Sequence, residues 1–103
     1  MTNNVMLIGR LVNECKIEEQ DDKKTTTITL AVNRTFKNED GVYETDFINC
    51  ILFNGIAENI TKNCHKGDLI AIKGRLQTND NKLEIIAEKV TFLSIAKKEE
   101  SEN

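Results

Sequence analysis

The chain has 103 residues, 39% hydrophobic and 30% charged, which fits one domain with a modest core and leaves no room for a second. No apolar run approaches the roughly 18 residues a membrane span needs, and residues 5–8 are too short and lack the basic start of a signal peptide, so a cytosolic protein is expected. The formal net charge of −3 argues mildly against a nucleic-acid partner, yet a local basic face can coexist with acids elsewhere, and here the acids cluster at Glu14, Glu18, Glu19, Asp21 and Asp22 and again at Glu99, Glu100 and Glu102.

Residues 4–12 read as a first strand that is apolar on both faces. Successive side chains of a strand alternate in direction, so Val5, Leu7 and Leu11 share one face and Met6, Ile8 and Val12 the other. One face fills a core; the other predicts an oligomer interface through Met6, Ile8 and Val12. Residues 24–34 alternate cleanly, with Ile28, Leu30 and Val32 together. Asn38 and Asp40-Gly41 then mark a turn within 35–42. Phe36 stands in this polar loop with no obvious core to join; pinning the hairpin down is its other reading.

Residues 43–54 form a third strand. Ile48, Cys50 and Leu52 fall on one face, and Tyr43, Phe47, Ile51 and Phe53 on the other. A small barrel needs one face of that strand for its core. If the first set fills it, aromatics line the outside; a bulge would reverse the parity and make them core. Residues 55–65 change period: Ile56, Ile60 and Cys64 recur every four residues, with Glu58 and Lys62 as an i, i+4 pair, predicting one short helix that ends at Lys66-Gly67-Asp68. Residues 69–78 make a fourth strand, with Ile70, Ile72 and Leu76 on one side and Lys73, Arg75 and Gln77 on the other. Asn79-Asp80-Asn81 is a tight turn and residues 82–95 a fifth strand. Residues 96–103 are expected to be a short charged, frayed tail after a single domain at 1–95.

Three strands, one helix and two strands give a mostly β fold: the OB-fold, a five-stranded antiparallel Greek-key barrel with a helix between its third and fourth strands. A different α+β connectivity is also compatible with periodicity. Catalysis finds no support. The single His65 directly follows Cys64, and neighbours on a helix do not face each other. Cys15, Cys50 and Cys64 are odd in number and lack Cys-x-x-Cys spacing, so they read as reduced structural thiols, with no metal or cofactor expected. An outward strip of rings beside Lys and Arg is instead the chemistry a single strand wants: stacking surfaces for bases and cations for phosphates.

The stretch NNVMLIGRL and the run ITLAVNRTFKNEDGVYETDFINCILFNGIAENITKNCHKGDLIAIKGRLQT, with its Lys-Gly-Asp and Gly-Arg-Leu-Gln-Thr steps, resemble the bacterial and phage single-stranded DNA-binding protein family over residues 3–93. The resemblance implies sequence-independent binding and protection of single-stranded DNA in replication, recombination or repair. It also implies a homo-oligomer, with a tetramer favoured and a dimer possible, in the bacterial cytoplasm at the nucleoid or encoded by a phage or plasmid. Phe36, Phe47 and Phe53 match family aromatic positions and join Tyr43 as candidate stacking residues. Arg10, Arg34, Lys37, Lys62, Lys66, Lys73 and Arg75 are candidate phosphate contacts. The alternative is an OB-fold protein-interaction module of a replication or primosome assembly. Three departures bear on this: a short turn at 79–81 where the family carries a long hairpin with an aromatic, the absence of Trp, and an ending, KKEESEN, unlike the family's long acidic-tipped tail, so that tail-mediated recruitment of repair enzymes is not expected.

Overall fold

The computed structural model describes residues 1–94, so the tail expected at 96–103 lies outside the described residues. Along them run β1 (Val5–Leu11), β2 (Glu18–Gln20), β3 (Lys23–Lys37), β4 (Tyr43–Phe53), α1 (Asn54–Asn63), β5 (Leu69–Asn79) and β6 (Lys82–Ser94). The sheet order is β1-β5-β6-β4-β3-β2, and a further β1–β3 pairing closes it into a barrel. The long β3 makes closure possible: one edge pairs with β4 from Thr25 to Asn33 and again at Lys37, while the other serves β2 near Thr25 and β1 at Leu30 and Ala31. This is the expected OB-fold, with α1 between the third and fourth barrel strands.

The barrel departs from an all-antiparallel design at one seam: β4 and β6 run parallel, pairing Cys50 with Ile85 and Ile51 with Ile86. Parallel strands need a long crossover, and α1 with β5 supplies it. β2 was not expected. Its residues, Glu18, Glu19 and Gln20, are all exposed, so they have no buried face from which periodicity could announce a strand. The hairpin strand β3 also runs three residues past its expected end at Arg34.

The core follows from parity. Ile28 and Leu30 of β3, Cys50 and Leu52 of β4, and Ile70 and Ile72 of β5 are fully buried, joined by Leu11, Ala57, Ile60 and Cys64. Each fully buried Ile or Leu contributes about 1.5–3 kcal/mol relative to exposure. Leu76 has the parity of Ile70 and Ile72 but is exposed, because β5 runs on beyond the barrel into a two-stranded arm. The arm turns at Asp80 and Asn81, both at positive φ (52° and 67°), as a two-residue hairpin connection requires. At its base, the ladder slips by one residue between Lys73 and Gly74. A Cβ on Gly74 would stand 2.1 Å from the carbonyl oxygen of Ile86, so only glycine fits there.

α1 is tied to β3 by two side-chain contacts. Asn54 accepts the Lys24 amide through Oδ1 at 3.2 Å, and the Lys24 ammonium pairs with Glu58. Glu58 thus makes its direct ion pair across elements, and Lys24 first, with Lys62 adding a smaller attraction, holds the Glu58 carboxyl below its usual range. Among the described residues no helix is long and apolar enough to cross a membrane.

Candidate nucleic-acid interface

The outward face of β4 carries Tyr43, Thr45, Phe47, Asn49, Ile51 and Phe53. Of the four candidate rings, three on this face and Phe36 on β3, three stand well out of the core: Phe47 is 66% exposed, Phe36 65% and Tyr43 54%, while Phe53 is 36% exposed. Cys50 and Leu52, on the opposite face, are buried. The aromatic parity is thus outward, and the bulge that could have reversed it lies in β3 between Asn33 and Lys37, beyond the stretch that sets the core.

Beside this strip, β3 presents Thr25, Thr27, Thr29, Ala31 and Asn33. Thr29 donates through Oγ1 to Asn49 Oδ1 at 2.7 Å, and Thr45 donates to Asn33 Oδ1 at 2.8 Å. Three shallow depressions lie along the same face. One is lined by Ile8, Gly9, Arg10, Ala31, Asn33 and Leu69. The next involves Thr27, Asn49 and Ile51 with Lys82, Leu83 and Glu84 from the β5–β6 arm. The last joins Phe53 and Thr25 to Gln20, Asp21 and Lys23. At about 3.3 Å per residue, the run from Thr25 to Asn33 spans roughly 26 Å.

The cations divide sharply. Phe47 pairs with Ala31, and Ala31 with Arg10, so the small Ala31 leaves a gap between an exposed ring and a guanidinium two strands away. Arg10 donates to the Gly67 carbonyl at 3.0 Å and makes no ion pair among the described residues. Lys37 holds its ammonium 5.6 Å from the Tyr43 ring centroid, its cross-strand neighbour. These residues converge on the strip.

The other candidates do not. Arg34 is held by Glu44 at 2.7 Å and Asp46 at 2.9 Å. Arg75 reaches Glu88 at 3.2 Å. Both were expected to meet phosphate, and in both the charge is already compensated by carboxylates that neighbour it across the sheet. Lys62 lies in the last turn of α1 and Lys66 in the loop after it, on the element that closes the barrel end. Lys73 sits on β5 between Met6 of β1 and Lys89 of β6, on strands farther round the barrel from β3 and β4. Met6 and Ile8, which share the parity of Arg10 on β1, are exposed, Ile8 lining the depression beside Arg10, while Val12 is half-buried.

Leu83, 69% exposed at the start of β6, was missed by sequence reasoning. The signal was its alternation with Ile85: the same parity, two residues farther out, reaches past the barrel. The thiols take no part. Burial pushes Cys15 and Cys50 up to about 11 and Cys64 up to about 12, so all three are protonated at neutral pH. They form no disulfide, and no group of three metal-ligating side chains occurs among the described residues.

The family model for the single-strand binding protein family matches residues 2–96. "Single-stranded DNA-binding protein 1" of Streptococcus pyogenes serotype M18 is 48% identical over 81 residues, covering 78% of this chain and 62% of that protein. The protein of the same name from Lactococcus lactis is 46% identical over 81 residues, covering 78% and 54%. The chain thus spans about half to three-fifths of the length of these curated relatives. Among solved structures, a deletion mutant of the single-stranded DNA-binding protein from Thermus aquaticus superposes with a TM-score of 0.73 at 24% identity, over 90% of this chain and 51% of that one, a likeness of fold. With the family model reaching across nearly the whole sequence, the chain belongs to the single-strand binding protein family.

Proposed function

We propose that this protein binds single-stranded DNA without sequence preference and performs no catalysis. The observation that carries this reading is the row Phe47–Ala31–Arg10: an exposed ring and a guanidinium with no ion pair among the described residues flank a small residue, beside the hydroxyls and amides of Thr29, Asn33, Thr45 and Asn49. Bases stack on Phe47 and Tyr43, each contact contributing about 1–3 kcal/mol. Phosphates run past Arg10 and Lys37. Phe36 extends the platform at the hairpin, and Phe53 receives the strand only at its partly covered lower end, beside Asp21.

Met6 and Ile8 are the exposed apolar residues of β1, and we assign them to contacts between copies of the chain in a homo-oligomer, a tetramer or a dimer, with Val12 contributing at the margin. Keeping DNA unpaired during replication, recombination or repair is the process such binding serves. The chain has one Tyr and no Trp, so intrinsic fluorescence reports on Tyr43. Titration with oligo-dT is expected to quench it, and log K to fall with log salt by about 0.7 per phosphate contact. Arg10→Ala is expected to reduce that slope by about 0.7. An affinity indifferent to salt would overturn the reading.

A further inference from the structure

The β3–β4 ladder loses register at the base of the hairpin. Asn33 pairs with Thr45 and Lys37 with Tyr43, so Arg34, Thr35 and Phe36 span a gap that Glu44 alone fills on β4. Such a bulge bends its strand and re-aims the side chains it carries. The direction of Phe36, and of the hairpin beyond it, therefore depends on what holds the bulge in place.

Arg34 holds it. Its Nη1 donates to Glu44 Oε1 at 2.7 Å, Nη2 to Asp46 Oδ1 at 2.9 Å, and Nε to Asp46 Oδ2 at 3.1 Å. The two-pronged contact with Asp46 is the geometry a planar guanidinium fork makes and an ammonium cannot. Glu44 also receives Asn38 Nδ2 at 3.4 Å. Asn38 in turn shapes the turn by accepting the Asp40 and Val42 amides at 2.9 and 3.0 Å. One connected set of bonds thus runs from Asp46 to the hairpin tip. Glu44 and Asp46 alternate with Tyr43, Thr45 and Phe47, so they lie on the reverse side of the aromatic platform. One guanidinium against two carboxylates leaves that side net negative, where a phosphate is not drawn.

We propose that Arg34 is a positioning residue: it fixes the bulge from behind, so that Phe36, Tyr43 and Phe47 are presented to the strand, and does not itself meet phosphate. This role rests on the single-strand reading above. The test is a titration of labelled oligo-dT over a series of salt concentrations with the full chain, Arg34→Gln and Asp46→Asn, together with Tyr43 fluorescence anisotropy of each protein without DNA. Both variants are expected to bind roughly two- to tenfold more weakly, the equivalent of one net hydrogen bond. The dependence of log K on log salt should keep its slope, and Tyr43 anisotropy should fall in both. A slope smaller by about 0.7 in Arg34→Gln, the mark of a lost phosphate contact, would overturn the role. So would Asp46→Asn binding as tightly as the parent or more tightly, since a phosphate-seeking Arg34 would gain from losing its competitor. Absence of salt-sensitive binding in the parent would sink the single-strand reading instead, and the anisotropy of the DNA-free proteins would still decide whether Arg34 holds the bulge.

Discussion

The two arms that rise from the barrel are built on opposite plans. The β3–β4 hairpin is irregular, with a register shift between Asn33 and Lys37, and is braced by Arg34, Glu44, Asp46 and Asn38. It carries Phe36 and Tyr43, with Phe47 at its root. The β5–β6 arm beyond Gly74 keeps register to its two-residue turn and carries no aromatic residue. Its exposed apolar groups are Leu76 and Leu83. Rings are placed where the backbone is held by charged cross-strand contacts, and the regular arm is left with aliphatic side chains that offer a strand no π-face. Binding specificity of the two arms should differ accordingly, with stacking concentrated in the first.

The largest expected effect tests whether the second arm depends on its base. Gly74→Ala places a methyl against the Ile86 carbonyl, and overpacking of this kind costs about 3 kcal/mol at its upper end. Urea denaturation should show a matching drop in the midpoint; an unchanged midpoint would mean the two strands are not in close contact there.

A smaller effect tests the contrast from the other direction. Leu83→Tyr adds a ring at the depression shared with Asn49 and Ile51. It should tighten oligo-dT binding by about 1 kcal/mol, the lower end of base stacking. No gain would place the strand's path away from the β5–β6 arm.

The smallest concerns pH and the brace. The hydrogen bond from Arg34 holds the Asp46 carboxyl below its usual range. A depressed carboxyl contributes fully above its unfolded pKa and loses its contribution as pH falls through the folded value. Tyr43 anisotropy in the DNA-free protein should therefore stay level from pH 7 down to about pH 4, near the ordinary Asp value, and drop only below it. A midpoint above about pH 5 would contradict the Arg34–Asp46 contact.

Much of the barrel was legible because alternation reports which face of a strand is buried. Parity separated Ile48, Cys50 and Leu52 from Tyr43, Phe47 and Phe53 while leaving open which set faces inward, and the four-residue spacing of Ile56, Ile60 and Cys64 found the helix side that closes the barrel. What parity cannot report is which strand lies alongside. The parallel β4–β6 seam, the short β2 and the Lys24–Glu58 pair all depend on tertiary placement rather than on local pattern. The same limit separated the candidate cations: Arg10 and Arg34 look alike in sequence, yet one faces an uncharged groove and the other two carboxylates. Leu76 shows the remaining gap, since alternation continues after a strand has left the core it once faced.

In the proposed binding mode Phe47 faces the strand and not the core. Thermal melting and oligo-dT affinity of Phe47→Ala, measured on the same preparation, test it directly. An exposed ring should leave stability within about 0.5 kcal/mol of the parent and cost about 1–3 kcal/mol of binding, roughly five- to 150-fold. A lowered melting temperature with affinity preserved would contradict it.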